Sequence, residues 1–221
     1  MIGLHHLEKS RSQRILWLLE ELGLEYQVIS YKRDPETMAA PDSLTQVHVL
    51  GKAPILTDGG LSIAESGAII EYLIDQYDTD GRLRPTQGQA LLDYRYWLHF
   101  AEGSLMPLLV MKLVFTKIES SPMPFFAKPV AKSISHKTQK AFLMPRLVPQ
   151  LEFIERTLET RTWFAGETIS GADIQMSFPL IAASDRLDLS TYPHIERFIK
   201  QVEAMPHYQK AMKKVANSAP V

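Results

Sequence analysis

Along the first eighty residues the hydrophobic positions switch between a period of two and a period near 3.6, the pattern of strands alternating with helices. Ile2, Leu4 and Leu7 predict a short opening strand. Ile15, Leu18, Leu19 and Leu22 then fall on one face of a helix predicted from about Ser10 to Leu22, and Gly23 stands where a left-handed cap would end it. Tyr26 to Tyr31 is rich in β-formers and reads as a second strand, parallel to the first because a helix joins them. Residues 34–50 carry Pro35, Pro41 and scattered polar positions, which predicts irregular chain with one short helix. Pro54 to Thr57 and Leu61 to Ala64 flank Asp58-Gly59-Gly60, a hairpin signal. From Ser66, Ile69, Leu73 and Tyr77 mark a further helix.

Beyond this point every apolar period is helical. A polar stretch with Gly81 and Pro85 predicts a linker at 81–87, dividing a domain at 1–80 from an all-helical one at 88–221. Leu91 to Ile118 reads as one long helix. Ser120 to Pro129 contains three prolines, Pro129 included, and reads as a connection. The next helix reaches about Arg161, with a break or kink expected near Pro145 and Pro149. Ala172 to Ser184, Ile195 to Met205 and Tyr208 to Val215 complete the set, and Ser170 with Asp173 predicts a variant capping box.

Composition narrows the chemistry. The chain has 221 residues and a formal charge of -1, so no global field draws it to nucleic acid or an anionic membrane. Charges interrupt each hydrophobic stretch and no leader pattern opens the chain, which points to a cytoplasmic protein. There is no cysteine, which excludes disulfides, thiolate metal sites and any mechanism using a protein thiol. The seven histidines offer no metal pair: His5 and His6 are adjacent and so face opposite sides of a strand. No nucleophile elbow or phosphate loop is present. Lys128, Lys132, His136 and Lys140 form a basic stripe, read first as solvated surface and second as a guide for anionic substrates.

Four segments carry a resemblance that spans nearly the whole chain. They are Glu8-Lys-Ser-Arg-Ser-Gln-Arg14 before an apolar helix, Gly51-Lys-Ala-Pro-Ile-Leu56, Ala64-Glu-Ser-Gly67 at a strand-to-helix turn, and Gly166 to Ile174 in the helical region. In this order and spacing the sequence resembles the cytosolic glutathione transferases of the serine type. The resemblance implies a thioredoxin-like α/β domain followed by an all-α domain, a homodimer, glutathione as co-substrate and no metal. It implies attack of the glutathione thiolate on small hydrophobic electrophiles, or reduction of organic hydroperoxides by glutathione. The alternative is a relative of the same fold that only binds or regulates.

The same resemblance assigns the site. Glu65 and Ser66 would hold the γ-glutamyl end, Ser66 and the helix N-terminus taking its carboxylate and Glu65 its ammonium. Pro54 would follow a cis bond, letting Ala53 pair with the cysteinyl backbone, while Lys52 and His48 would face the glycyl carboxylate. Val49 and Ala40 depart from residues common in relatives at that end of the site. Thiolate stabilisation falls to Ser10, since no tyrosine precedes Tyr26 and cysteine is absent; Ser12 is the alternative. A thiol pKa of about 8.5 lowered by ~2 units needs ~2.7 kcal/mol. A hydroxyl bond to the anion, roughly 1.5–3 kcal/mol, and the helix N-terminus, roughly 0.3–1 kcal/mol, suffice together. Serines two apart on a helix should diverge, so Ser12 is expected to point elsewhere or bond locally. Leu7, Met106, Val110, Met111 and Phe115 are candidate walls for the electrophile.

Overall fold

The computed structural model describes residues 1–216; the end of the predicted helical domain, 217–221, lies outside the described residues. Strands β1 (Ile2–Leu7), β2 (Tyr26–Tyr31), β3 (Ile55–Asp58) and β4 (Leu61–Ala64) form one sheet in the order β2-β1-β3-β4. β1 and β2 are parallel, and β3 is antiparallel to both β1 and β4. The hairpin between β3 and β4 turns on Gly59 and Gly60, both at positive φ (52° and 91°), as a tight two-residue turn demands.

Alternation along β1 divides its side chains between two cores. Ile2 and Leu4 join the main core with Ile15 and Leu19 of α1 (Ser12–Glu21) and Ile69 and Leu73 of α2 (Ser66–Tyr77). Leu7 points the other way, into a small cluster with Tyr31, Ile55 and Leu44. Leu44 belongs to a short 3-10 turn, Asp42–Gln46, within the stretch predicted to be mostly irregular. His6 shares the parity of Ile2 and Leu4 and so faces α1, whereas His5 stacks on Tyr31 on the far side.

α1 begins two residues later than the sequence predicts, with Arg11 at its N-cap. The reason lies at Lys9, whose φ of 49° turns the chain sharply between strand and helix. Ser10 is thereby left outside the helical ladder, although its carbonyl still accepts the Gln13 amide at 3.3 Å. At the other end Gly23 adopts φ 64° and closes the helix as expected.

Residues 78–87 carry no helix or strand. α3 (Gly88–Phe100) then runs through a π-helical turn at Ala101–Leu105 into α4 (Met106–Ser120). By length and composition alone this continuous 33-residue helix could cross a bilayer, a correction to the expectation that charges interrupt each hydrophobic stretch. Its Tyr94, Trp97, Leu98, Leu105 and Leu109 are buried in the main core, whereas Leu92, Val114 and Ile118 are exposed. α5 (Lys128–Thr138) passes through a second π turn, Gln139–Leu143, into α6 (Met144–Glu159). The predicted break thus falls just before Pro145, where a missing amide donor costs nothing, and Pro149 is carried inside α6.

α7 (Gly171–Ser184) is the buried axis of the helical part. Asp173 accepts the amide and hydroxyl of Ser170 at 2.8 and 2.7 Å, and its other oxygen takes the Phe164 amide at 2.7 Å. Burial nevertheless pushes the Asp173 carboxyl up to about 6, against those three bonds. α8 (Pro193–Ala204) and α9 (Pro206–Ala216) follow, and α9 returns to the first domain. There Lys210 and Lys214 reach the buried Glu20 carboxylate of α1 at 2.6 and 3.6 Å, Tyr208 packs edge-on against Trp17, and His207 meets Glu21 at 3.0 Å.

Candidate functional site

Where the β1–α1 turn, the loop before β3, the head of α2 and the middle of the long helix converge, they enclose a cavity of about 750 Å³. Ser10 lines it, buried to 6% exposure. The Ser10 hydroxyl lies 2.7 Å from that of Ser12 and also accepts the Ser12 amide at 3.3 Å. Ser12 is fully buried and is not part of the cavity wall; its hydroxyl lies 2.7 Å from His6 Nδ1. Ser12 thus bonds locally and only Ser10 faces the cavity, but the two hydroxyls do not diverge, because Ser10 is not yet helical and its hydroxyl folds over the first turn. Burial pushes the His6 imidazole down to about 4, with the Glu8 charge acting weakly in the other direction, so the ring is neutral near pH 7.

The second edge of the cavity is the segment entering β3. The Ala53–Pro54 bond is cis, and Ala53, Pro54, Lys52 and His48 all line the cavity. Ala40 lines it too, whereas Val49 projects into solvent. The third edge is the head of α2. Glu65 occupies its N-cap at φ 71°, a conformation rare outside glycine, and Ser66 opens the helix almost fully buried. An unusual backbone held at a cavity edge is the kind of strain that accompanies a binding site.

Charge at the mouth is set by an interdomain cluster. Glu102, in the first π turn, takes the Arg11 Nε at 2.7 Å and also a guanidinium nitrogen of Arg14. Arg14 is fully buried, donates to the Gln175 carbonyl at 2.7 Å, and stays charged although burial lowers it to about 10. With Glu102 paired to Arg11 and Arg14, the charged residues left on the cavity wall are Lys9, Arg33, Lys52 and Arg186 against Asp42 and Glu65, so cations outnumber acids there.

Residues 1–75 match the family model described as glutathione S-transferase, N-terminal domain, and residues 105–206 match glutathione S-transferase, C-terminal domain. Over 219 residues the chain is 34% identical to Glutathione S-transferase 3 of Schizosaccharomyces pombe, covering 99% of this chain and 89% of that one. The chain belongs to the glutathione S-transferase family. Glutathione S-transferase 1 of Saccharomyces cerevisiae is 32% identical across 97% of this transferase and 95% of its own length. A solved glutathione S-transferase from Actinobacillus pleuropneumoniae is 34% identical, with a TM-score of 0.78 over 99% of this chain and 97% of that one.

The wall opposite Ser10 in this transferase comes from the helical part. Met106, Val110 and Leu113 line it at positions i, i+4 and i+7 of one helix face, and Leu7 closes the floor. Met111 and Phe115 do not line it. Met111 packs against the main core, and the Phe115 carbonyl accepts the Ser135 hydroxyl at 3.3 Å. The sequence reading missed Leu113, although its spacing from Met106 was a usable signal. It also missed Phe178 and Ala182, in the second half of α7, and Arg186, in the turn after it, which reach the cavity and carry no local signature. The basic stripe stays apart. Lys128, Lys132, His136 and Lys140 are exposed on and just after α5, and none of them lines the cavity.

Proposed function

We propose that this transferase binds glutathione in the cavity and conjugates its sulfur to small hydrophobic electrophiles. One observation carries the reading: Ser10, the Ala53–Pro54 segment and the Glu65–Ser66 turn border a single cavity whose opposite wall is apolar. The tripeptide would lie along the first three edges, with Glu65 and Ser66 at its γ-glutamyl end and Lys52 and His48 at its glycyl carboxylate. The cationic wall suits a ligand with two carboxylates. Ser10 would donate its hydroxyl hydrogen to the sulfur, favouring the thiolate; the thiol proton leaves to water. The sulfur lone pair then forms the new bond to the electrophile held against Met106, Val110, Leu113 and Phe178, and the leaving group departs with its electrons. Organic hydroperoxides fit the same wall and would be reduced at the expense of two glutathione thiols. Residues 1–80 would act as the glutathione-binding domain, 81–87 as linker and 88–221 as the helical domain, in a cytoplasmic homodimer that disposes of reactive electrophiles.

The test combines retention on immobilised glutathione, turnover of an aryl halide and the ultraviolet absorbance of bound thiolate against pH. Ser10→Ala should raise the bound thiol pKa by ~1–2 units and lower turnover near neutral pH roughly 10- to 100-fold. Ser66→Ala should weaken glutathione binding by roughly 1–3 kcal/mol. A parent protein that binds glutathione without turnover would favour the non-catalytic alternative. An unshifted Ser10→Ala titration would remove Ser10 from the mechanism.

A further inference from the structure

A serine hydroxyl has one hydrogen to give and two lone pairs to receive. At Ser10 both receiving positions lie beside Ser12, the amide at 3.3 Å and the hydroxyl at 2.7 Å. If both are filled, the Ser10 hydrogen has one remaining direction, outward into the cavity. If instead Ser10 donates to Ser12, its hydrogen is consumed inside the protein and the sulfur loses its partner. The direction of one short hydrogen bond therefore decides whether Ser10 can work.

That direction is set one residue deeper. Ser12 Oγ lies 2.7 Å from His6 Nδ1 and 2.7 Å from Ser10 Oγ, while the Leu7 carbonyl is at the 3.5 Å limit. A neutral imidazole carries a single N–H. With the proton on Nε2, Nδ1 must accept from Ser12, and Ser12 must then accept from Ser10. Nε2, however, is buried and meets no partner among the described residues. A proton there would be an orphaned buried donor, the costlier and rarer kind of vacancy, whereas a proton on Nδ1 leaves only an unused lone pair. Protonation of the whole ring would also place a hydrogen on Nδ1, so both forms point the chain the same way.

We infer that His6 and Ser12 are positioning residues that aim the Ser10 hydroxyl at the ligand sulfur. The chain runs from His6 Nδ1–H to Ser12 Oγ, from Ser12 O–H to Ser10 Oγ, and from Ser10 O–H to the thiolate. No proton is transferred along it. Each bond polarises the next, so an anion at the open end strengthens all three. This rests on the proposed reading that Ser10 faces the glutathione sulfur. Ser12, the alternative thiolate partner by sequence, thereby acquires a role behind Ser10 instead of in its place.

The experiment measures the bound-thiolate titration and kcat/KM against pH for Ser10→Ala, Ser12→Ala, His6→Leu and His6→Asn, with thermal unfolding of each. An asparagine amide places an N–H where Nδ1–H stood; leucine fills the space without one. Ser12→Ala and His6→Leu should raise the bound thiol pKa by ~0.5–1 unit and lower kcat/KM at neutral pH about 3- to 10-fold. The loss should vanish well above the thiol pKa, where the thiolate forms unaided, and KM for glutathione should hardly change. His6→Asn should keep the parent curve. If Ser10→Ala shifts the titration and the inner variants do not, the relay is wrong and the role of Ser10 stands. Equal shifts in His6→Leu and His6→Asn would also overturn it, since only bulk would then matter. An unshifted Ser10→Ala titration defeats the underlying reading and the relay together. Should His6→Leu not fold, Ser12→Ala and His6→Asn still decide the matter.

Discussion

His6 ties the acid stability of the protein to the same buried triad. An imidazole titrates near 6.5 in an unfolded chain, and burial lowers His6 to about 4 in the folded one. Above about pH 6.5 both states are neutral there and the group contributes nothing. As pH falls toward 4 the unfolded chain takes up a proton that the folded chain refuses, so stability declines, by up to ~3 kcal/mol. Glu8 opposes this shift, but burial outweighs it. Denaturant unfolding of the parent and of His6→Asn at about pH 7.5 and pH 4.5 checks this. The parent should lose roughly 2–3 kcal/mol more than the variant between the two conditions, and parallel losses would remove His6 from acid sensitivity. His6 also marks what the sequence concealed. Adjacent histidines on a strand plainly face opposite sides, but the bond from one of them to Ser12 depends on where α1 begins. That start is displaced by the left-handed turn at Lys9, a residue with no preference for such a conformation.

At the level of elements, the most local signals were the most legible. The Gly59–Gly60 hairpin, the Gly23 cap and the Ser170–Asp173 box are each written within four residues, and each forms. The two π turns were not legible, because a five-residue irregularity leaves the helical period almost unchanged on either side. The first of them nevertheless matters to the site. It carries Glu102, which pairs with Arg11 and Arg14, directly before the helix that sets Met106, Val110 and Leu113 on the cavity. The cavity edges at Ser10, Pro54 and Glu65 lie on short contiguous motifs, whereas the apolar wall is assembled from α4 and from α7, at least 65 residues further along the chain (Leu113 to Phe178) and out of reach of any local pattern. Packing of α7 on α2 is equally non-local. A Cβ on Gly171 would stand 2.7 Å from Ile74 Cδ1 and 2.8 Å from Ile70 Cγ2. Gly171→Val should therefore cost about 1–3 kcal/mol in thermal or denaturant unfolding, through displacement of α7. An unchanged midpoint would mean that those isoleucines yield freely.

On the scale of the whole molecule, the last helix ties the two parts together at a point remote from the cavity. Glu20 is nearly inaccessible and receives Tyr26 Oη at 2.6 Å as well as Lys210 and Lys214. Burial raises its carboxyl, but the bonds from Lys210 and Tyr26 and the two lysine charges outweigh that, so it stays ionised. Glu20→Ala leaves Tyr26 without its acceptor and frees α9, and should cost roughly 2–4 kcal/mol. Protease cleavage near α9 should then precede global unfolding; cleavage no faster than in the parent would show that apolar contacts such as Trp17 with Tyr208 hold the helix alone.

A different consequence follows from the absence of cysteine in all 221 residues. Under the proposed reading, the reactive sulfur in a working sample enters and leaves with the ligand. A thiol reagent added after free glutathione is removed therefore counts occupied sites directly, with no protein background to subtract. The same chemistry bears on endurance. An enzyme that meets electrophiles all its working life usually exposes thiols of its own to accidental alkylation. Here that mode of wear has no target, and among the described cavity residues Met106 is the only one carrying sulfur, as a thioether.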